Sequence, residues 1–324
     1  MSRLRRWWTA WLTWLRHREP AIGLAWFRML VGLALVWEFT GPLVTDSVEM
    51  LWFTVEDGGY RVVKGPGGWR WRPLGGYSPA AVYQMLAIGL CAAIGTVIGV
   101  GGRIAPLVGL QSFIALTRLN STAGGGDDFL LSNMLWLLVL SNATATGSLT
   151  ARWRTGRFWP DVPVPAWPRY LVIVQLVVMY TSTGLQKMSH HWVPWGDQSA
   201  LWYILLQPSW QRWPLDTMPH WMVPLTRLAT VSTWLWELSA PVLLLALWYR
   251  ATAHRPGRVR ALFQRIDIRS GYLAFGVLVH VGIFIVMEVG TFSLVSLAAY
   301  TCAFHADEYR AFTARLRGLA SSAT

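Results

Sequence analysis

Residues 79–100 read PAAVYQMLAIGLCAAIGTVIGV, without a charged side chain from end to end. As a helix rising 1.5 Å per residue, such a stretch is long enough to cross a hydrocarbon core of roughly 30 Å. It has neither the polar stripe of an amphipathic helix nor the alternation of a half-buried strand. Working outward, apolar runs recur at about 21–43, 104–119, 128–148, 169–187 and 228–249. The run from Gly271 to Phe304 is too long for one helix and divides near Gly290 into 271–289 and 291–304. The pattern predicts an all-α fold: a polytopic membrane helix bundle of about eight transmembrane helices over residues 21–305, with amphipathic interfacial helices. Composition agrees, because 54% of residues are hydrophobic and only 14% charged, against about 25% charged in a soluble domain. An ordinary soluble enzyme is thereby excluded. Cys91 and Cys302 both lie in apolar runs, so no disulfide framework, CxxC pair or metal site is expected.

Residues 1–20 read as a basic interfacial helix rather than a signal peptide. Leu4, Trp7, Trp8, Trp11, Trp14 and Leu15 recur three to four apart with Arg3, Arg5, Arg6 and Arg16 beside them. The loop between the first two spans is aromatic and glycine-rich (Trp52, Gly58, Gly59, Gly65, Gly67, Gly68, Trp69, Trp71). The segment 190–222, with His190, His191, Trp192, Trp195, Trp202, Trp210, Trp213 and Trp221, is expected to lie at the interface as one or two helices, while 250–270 is an Arg-rich loop. The net charge of +12 is assigned to orientation in the membrane, not to a nucleic-acid partner. With eight spans, 19 Lys and Arg fall on the side of the termini and 8 on the other, which places both termini, including a tail at 306–324, in the cytoplasm. High Arg, Ala, Gly and Trp usage points to a bacterial plasma membrane.

Charged groups at membrane depth cost several kcal/mol unless they face a partner or a cavity. The candidates are Arg28, Glu38, Asp127, Asp128, Lys187, Glu237, His280 and Glu288. Arg28 and Glu38 read as groups that snorkel to opposite interfaces or pair with neighbours, and Glu288 as a snorkelling acid. Glu237 and His280 fit interhelical polar contacts equally well. Lys187 is distinctive because the chain uses lysine only there and at position 64. An amine in an apolar site can give up its proton and act as a base, whereas a guanidinium cannot.

Around it, Gln175-x4-Tyr180-x3-Gly184-x2-Lys187-x4-Trp192 resembles the vitamin K-dependent gamma-glutamyl carboxylases and their bacterial relatives, the horizontally transferred transmembrane (HTTM) proteins. Phe27-Arg28-x3-Gly32, Arg103-Ile104, Leu238-Ser239-Ala240 after Glu237, and His280-x9-Gly290-x-Phe292 match in the same order. The resemblance implies that Lys187 is a catalytic base acting on a reduced naphthoquinone of the vitamin K or menaquinol type, with O2 and CO2 as co-substrates. Asp127 stands where those carboxylases carry a functional histidine, and the chain ends about where their large lumenal region begins.

Two functions compete. The first is a carboxylase-like enzyme with Lys187 as base, Asp127, Asp128, Gln175, Tyr180, Glu237 and His280 as pocket members, and the 190–222 loop as a lid that excludes water. Its partners are membrane lipids, a membrane quinone and a peptide or small-molecule substrate. The second is a non-catalytic protein on the same scaffold, handling peptides or lipids in secretion or immunity. A transporter relaying protons through Glu38, Glu237 and Glu288 is a weaker alternative, since neither a broken-helix pair nor an internal repeat is expected beside those acids.

Overall fold

The computed structural model describes residues 3–61, 68–120, 124–213 and 218–322. Lys64, Gly65 and Gly67 lie outside the described residues, as do the side chains of Arg3, Leu4, Arg6, Trp7 and Trp14. In chain order the elements are α1 (Arg3–Arg16), β1 (Arg18–Pro20), α2 (Ile22–Val44), α3 (Val48–Trp52), α4 (Pro79–Ile98), α5 (Ile104–Thr117), α6 (Gly126–Leu140) and α7 (Leu149–Thr155). They continue as β2 (Pro163–Pro165), α8 (Trp167–Gln186), α9 (Ala200–Leu205), α10 (Val223–Leu238), α11 (Pro241–Ala251), α12 (Arg258–Arg265), α13 (Ile268–Val286), α14 (Phe292–Tyr300) and α15 (Ala306–Ser322). Helix dominates, but the class is not wholly α, because β1 and β2 pair antiparallel with Glu19 opposite Val164.

The chain divides into two compact units, residues 1–172 with 290–324 and residues 173–289. In the first unit α2 packs against α4, α6 and α14, and α5 packs against α4 and α6. Small residues set these approaches, as in other membrane bundles. A Cβ on Gly32 of α2 would sit 2.8 Å from the Val97 side chain, Gly89 makes room for the Phe39 ring, and Gly109 for Leu35.

Arg28, expected to snorkel or to pair with neighbours, pairs with neighbouring backbone carbonyls. It is 2% exposed, and its guanidinium donates to four backbone carbonyls. These are Thr96 O, Val97 O at 2.7 Å, Gly147 O at 2.5 Å and Ala143 O at 3.2 Å. The first two belong to the last turn of α4, whose carbonyls have no intrahelical donor. A cation there also meets the negative end of the helix dipole. The other two belong to the segment after α6, which explains why that helix stops at Leu140 and does not continue to 148. Arg28 satisfies Ala143 and Gly147, and Arg103 Nε donates to Ser141 O at 3.1 Å. A second buried arginine, Arg169 at the start of α8, forks onto the Glu19 carboxylate and donates to Cys302 O at 2.6 Å.

In the second unit α10 and α11 both pack on α13, α9 lies on α10, and α12 on α11. The apolar run 228–249 is not one straight span. Pro241 cannot donate to the α10 ladder, and α10 and α11 meet at 47° across Ser239 and Ala240. The Arg-rich loop contains the short helix α12, and the C-terminal tail is helical as α15.

Among the described residues three helices, α2, α4 and α13, are long and apolar enough to cross a membrane, or four if the bent α10–α11 pair is one span. At 14, 15 and 9 residues, α5, α6 and α14 would rise only about 21, 22 and 14 Å. Helix α8 has 20 residues, but its C-terminal half carries Thr181, Ser182, Thr183 and Gln186.

Replacing Arg28 tests the packing of the first unit. Arg28→Lys, which lacks the planar fork, is expected to cost about 1–3 kcal/mol, and Arg28→Met about 3–5 kcal/mol because the carbonyls stay buried without a donor. Unfolding midpoints in mixed detergent should fall in that order.

Candidate functional site

Lys187 follows directly on the last residue of α8, and its backbone N–H still donates to Thr183 O at 3.1 Å. Its side chain is one-quarter exposed and reaches Glu237 at the end of α10, with Nζ 2.5 Å from Oε1. The Trp192 ring lies under the same ammonium, 4.7 Å from its centroid, a cation–π contact. Glu237 is nearly buried, and its second oxygen, Oε2, accepts no hydrogen bond among the described residues. The break at Pro241 puts this acid on the last turn of α10, midway along the bent α10–α11 pair.

Gly184 makes the reach possible. On α8 the residues at 180, 183, 184 and 187 share one face. A Cβ on Gly184 would meet Leu238 N and Cδ2 at 3.1 Å and Glu237 Cβ at 3.2 Å. Any side chain there pushes α10 away from α8, and Glu237 with it. One motif glycine thus has a physical reason that the motif alone did not state.

Two further candidates meet each other. Tyr180 OH and His280 Nε2 are 2.7 Å apart, both buried. Around them the Trp236 ring lies 4.5 Å from Tyr180 and stacks on Tyr272 at 5.5 Å. Trp236 Nε1 donates to Tyr272 O, and Tyr272 OH to Trp236 O. Gln175 is half-buried on α8 outside this group. A groove of about 500 Å³, lined by Val177, Val178, Thr181, Ser182, Leu185 and Gln186, runs along another flank of α8 than the Lys187 row.

Asp127 and Asp128 belong to the first unit, where each holds a helix start. Asp128 Oδ2 accepts from Gly125 N at 3.1 Å, and Asp127 Oδ2 accepts from Thr291 N at 3.2 Å, just ahead of α14. Carboxylates there complement the positive ends of helices. Gly290 has φ +57°, and a Cβ on it would strike the Asp127 carboxylate. Glu38 of α2 lies beside Thr291 within electrostatic reach of both aspartates.

The loop after Lys187 contains an arrangement that sequence reading missed. His191 Nδ1 lies 3.0 Å from Asp197 Oδ1 and 2.8 Å from Ser199 Oγ, and Ser199 donates to Asp197 from both its hydroxyl and its N–H. Two hydrogen bonds from Ser199, joined by one from His191, hold the Asp197 carboxyl down at about 2. Farther along, Arg212 pairs with Glu288 at 3.1 Å, and Trp213 Nε1 donates to Ile285 O at 2.8 Å. Glu288 is therefore paired rather than snorkelling, and this end of the loop is fastened to α13. No spacing rule marks such contacts, because each joins a loop residue to a partner chosen by the turn.

A family model for the HTTM domain matches residues 16–256. The chain belongs to the HTTM family. It is a membrane protein related to the carboxylase family. The matched region of this HTTM protein holds Asp127, Asp128, Gln175, Tyr180, Lys187 and Glu237, whereas His280 lies beyond it. Comparison with curated proteins and with solved structures returned no match.

Two outcomes check this geometry. Gly184→Val is expected to separate the amine from the carboxylate and to cost about 1–3 kcal/mol, measured as loss of crosslinking between Lys187→Cys and Glu237→Cys in a cysteine-free protein otherwise carrying it. The Asp197 carboxylate supports its turn fully above the ordinary value of 3.8, and that support is lost as pH falls through about 2. A carbon-13 titration of labelled aspartates should find this midpoint, and Ser199→Ala should move it upward.

Proposed function

We propose that this HTTM protein is a membrane enzyme in which Lys187 and Glu237 act together as the base toward a reduced naphthoquinone, with O2 and CO2 as co-substrates. What carries the reading is the pair itself: a near-buried carboxylate with one oxygen on an amine 2.5 Å away and the other, Oε2, without a hydrogen-bond partner among the described residues. A buried acceptor without a donor costs free energy that a ligand hydroxyl would recover. A hydroquinone offers that hydroxyl, and the Trp192 ring beside the amine offers an aromatic face. When bound, the reduced quinone supplies a phenolic proton and the electrons that oxygen takes up.

The protein's own part is proton handling. Because amine and carboxylate share one hydrogen bond, the base in this proposal is the pair rather than Lys187 alone. Glu237 Oε2 would receive the hydroxyl proton while Nζ steadies the charge left on the ligand oxygen. The loop that begins at Trp192, fastened to α13 through Arg212 and Trp213, would exclude water from the anion. Tyr180 and His280 satisfy each other and would line the interior end of the site, with Gln175 farther along α8. In this proposal α5, α6, α8 and α14 join the longer helices in an eight-crossing bundle. It lies in a bacterial plasma membrane with cytoplasmic termini, supported by the bias of Lys and Arg between loops.

A second reading has support of its own. Lys187 already has a carboxylate partner, and Asp127 and Asp128 are engaged at helix starts, as they would be in a non-catalytic protein that keeps the scaffold for peptide or lipid handling. Quinol-dependent oxygen uptake by purified protein in liposomes separates the two. Lys187→Ala, Lys187→Arg and Glu237→Gln should each lower it at least about 100-fold, and Glu237→Gln should also displace the pH profile. Unchanged uptake in both lysine variants would remove the enzyme reading and leave the pair as a link between helices.

A further inference from the structure

The connection between α11 and α13 reads in sequence as an arginine-rich loop, yet it folds into a helix with two unlike faces. Val259 and Leu262 fall along one side, Ile266 follows directly on the helix end, and the three are 56%, 49% and 52% exposed. The adjoining side is already used. Arg260 lies over the Tyr249 ring of α11 at 5.2 Å and donates to Thr252 Oγ1 and Pro256 O, while Phe263 meets Tyr249 edge-on at 5.0 Å. These contacts fix how α12 is rotated on α11 and leave the apolar row outward. Arg258 and Arg265 border that row on its other edge and form no ion pair among the described residues. Arg250 and Arg255 add to the local positive charge, and Asp267 is the one acid between α11 and α13.

Three exposed aliphatic side chains beside cations are costly in water and suited to the boundary where acyl chains meet headgroups. Helices long or apolar enough for the bilayer, the bent α10–α11 pair and α13, run into this segment from both sides, so it sits at a membrane surface. We propose that α12 is an anionic-lipid anchor. Val259, Leu262 and Ile266 insert at the acyl boundary of the protein's own bilayer, and Arg258 and Arg265 bind phosphate-bearing headgroups of net negative charge. Each arginine near an anionic surface is worth about 1 kcal/mol, or about fivefold in the ratio of inserted to free helix. The attraction acts through charge and so weakens with salt. The proposal does not depend on Lys187.

The test uses full-length protein with Cys91 and Cys302 replaced, and an environment-sensitive fluorophore on Leu262→Cys or, on the far side of the helix, Ala261→Cys. Proteins are reconstituted into phosphatidylcholine vesicles with or without phosphatidylglycerol. In anionic vesicles the Leu262→Cys label should emit to the blue of the Ala261→Cys label, be quenched by brominated acyl chains and be shielded from iodide. Arg258→Gln and Arg265→Gln should each lower the inserted ratio about fivefold, and added salt should act in the same direction. The comparison of the two labels needs no charge substitution, so it stands even if an arginine variant misfolds. Equal iodide access at both labels would overturn the proposal. Shielding from iodide without quenching by bromolipid would overturn it in favour of a protein partner or second copy on this face. Equal insertion in neutral vesicles, indifferent to both arginines, would overturn the anionic specificity.

Discussion

A guanidinium enclosed by four carbonyl oxygens organises the N-terminal unit. Backbone groups at membrane depth have no water to turn to, so each helix end inside the bundle must find a donor or acceptor within the protein. Arg28 supplies donors to the end of α4 and to the segment after α6 at once. It thereby allows α6 to stop at Leu140 and the chain to turn at Gly147, which has φ +57°. Gly32, one turn farther along α2, lets Val97 come close enough for the same arginine to reach its carbonyl. Arg169 applies the same principle elsewhere in the unit, with the Glu19 carboxylate and Cys302 O as its acceptors.

The second unit, residues 173–289, solves a different problem. Here the polar groups meet as side-chain pairs: Lys187 with Glu237, Tyr180 with His280, Arg212 with Glu288. Where such pairs are buried they contribute less to stability than their contact distances imply, because desolvation offsets most of the attraction. Their value lies in geometry. The break at Pro241, the absent side chain at Gly184 and the ring of Trp192 converge on one amine and one carboxylate, an arrangement more specific than holding two helices together requires. In the proposed function, Glu237 Oε2, without a hydrogen-bond partner among the described residues, is the atom that would turn that geometry toward a ligand.

The candidate site was legible only in part. Lys187 could be singled out because its residue type is rare in this chain and because a motif surrounds it, and Glu237 because a charge between Trp236 and Leu238 is anomalous. That the two meet was not legible, since it depends on where α10 ends. Asp127 and Asp128 looked alike in sequence beside three glycines, yet one caps its own helix and the other the start of α14, more than 160 residues away. The His191, Asp197 and Ser199 group left no periodic trace, because a turn and not a helix or strand brings it together.

The amino-acid sequence by itself determined the membrane class and the family, because hydrophobic length and residue spacing are local quantities that a bilayer reads directly. Tertiary structure decided how each charge is answered: neutral carbonyls around Arg28, an acid beside Lys187, an exposed aliphatic row beside the arginines of α12. The reason is that the partner of a buried polar group is set by where helices end and how closely they cross. Those features depend on prolines, glycines and distant carbonyls acting together.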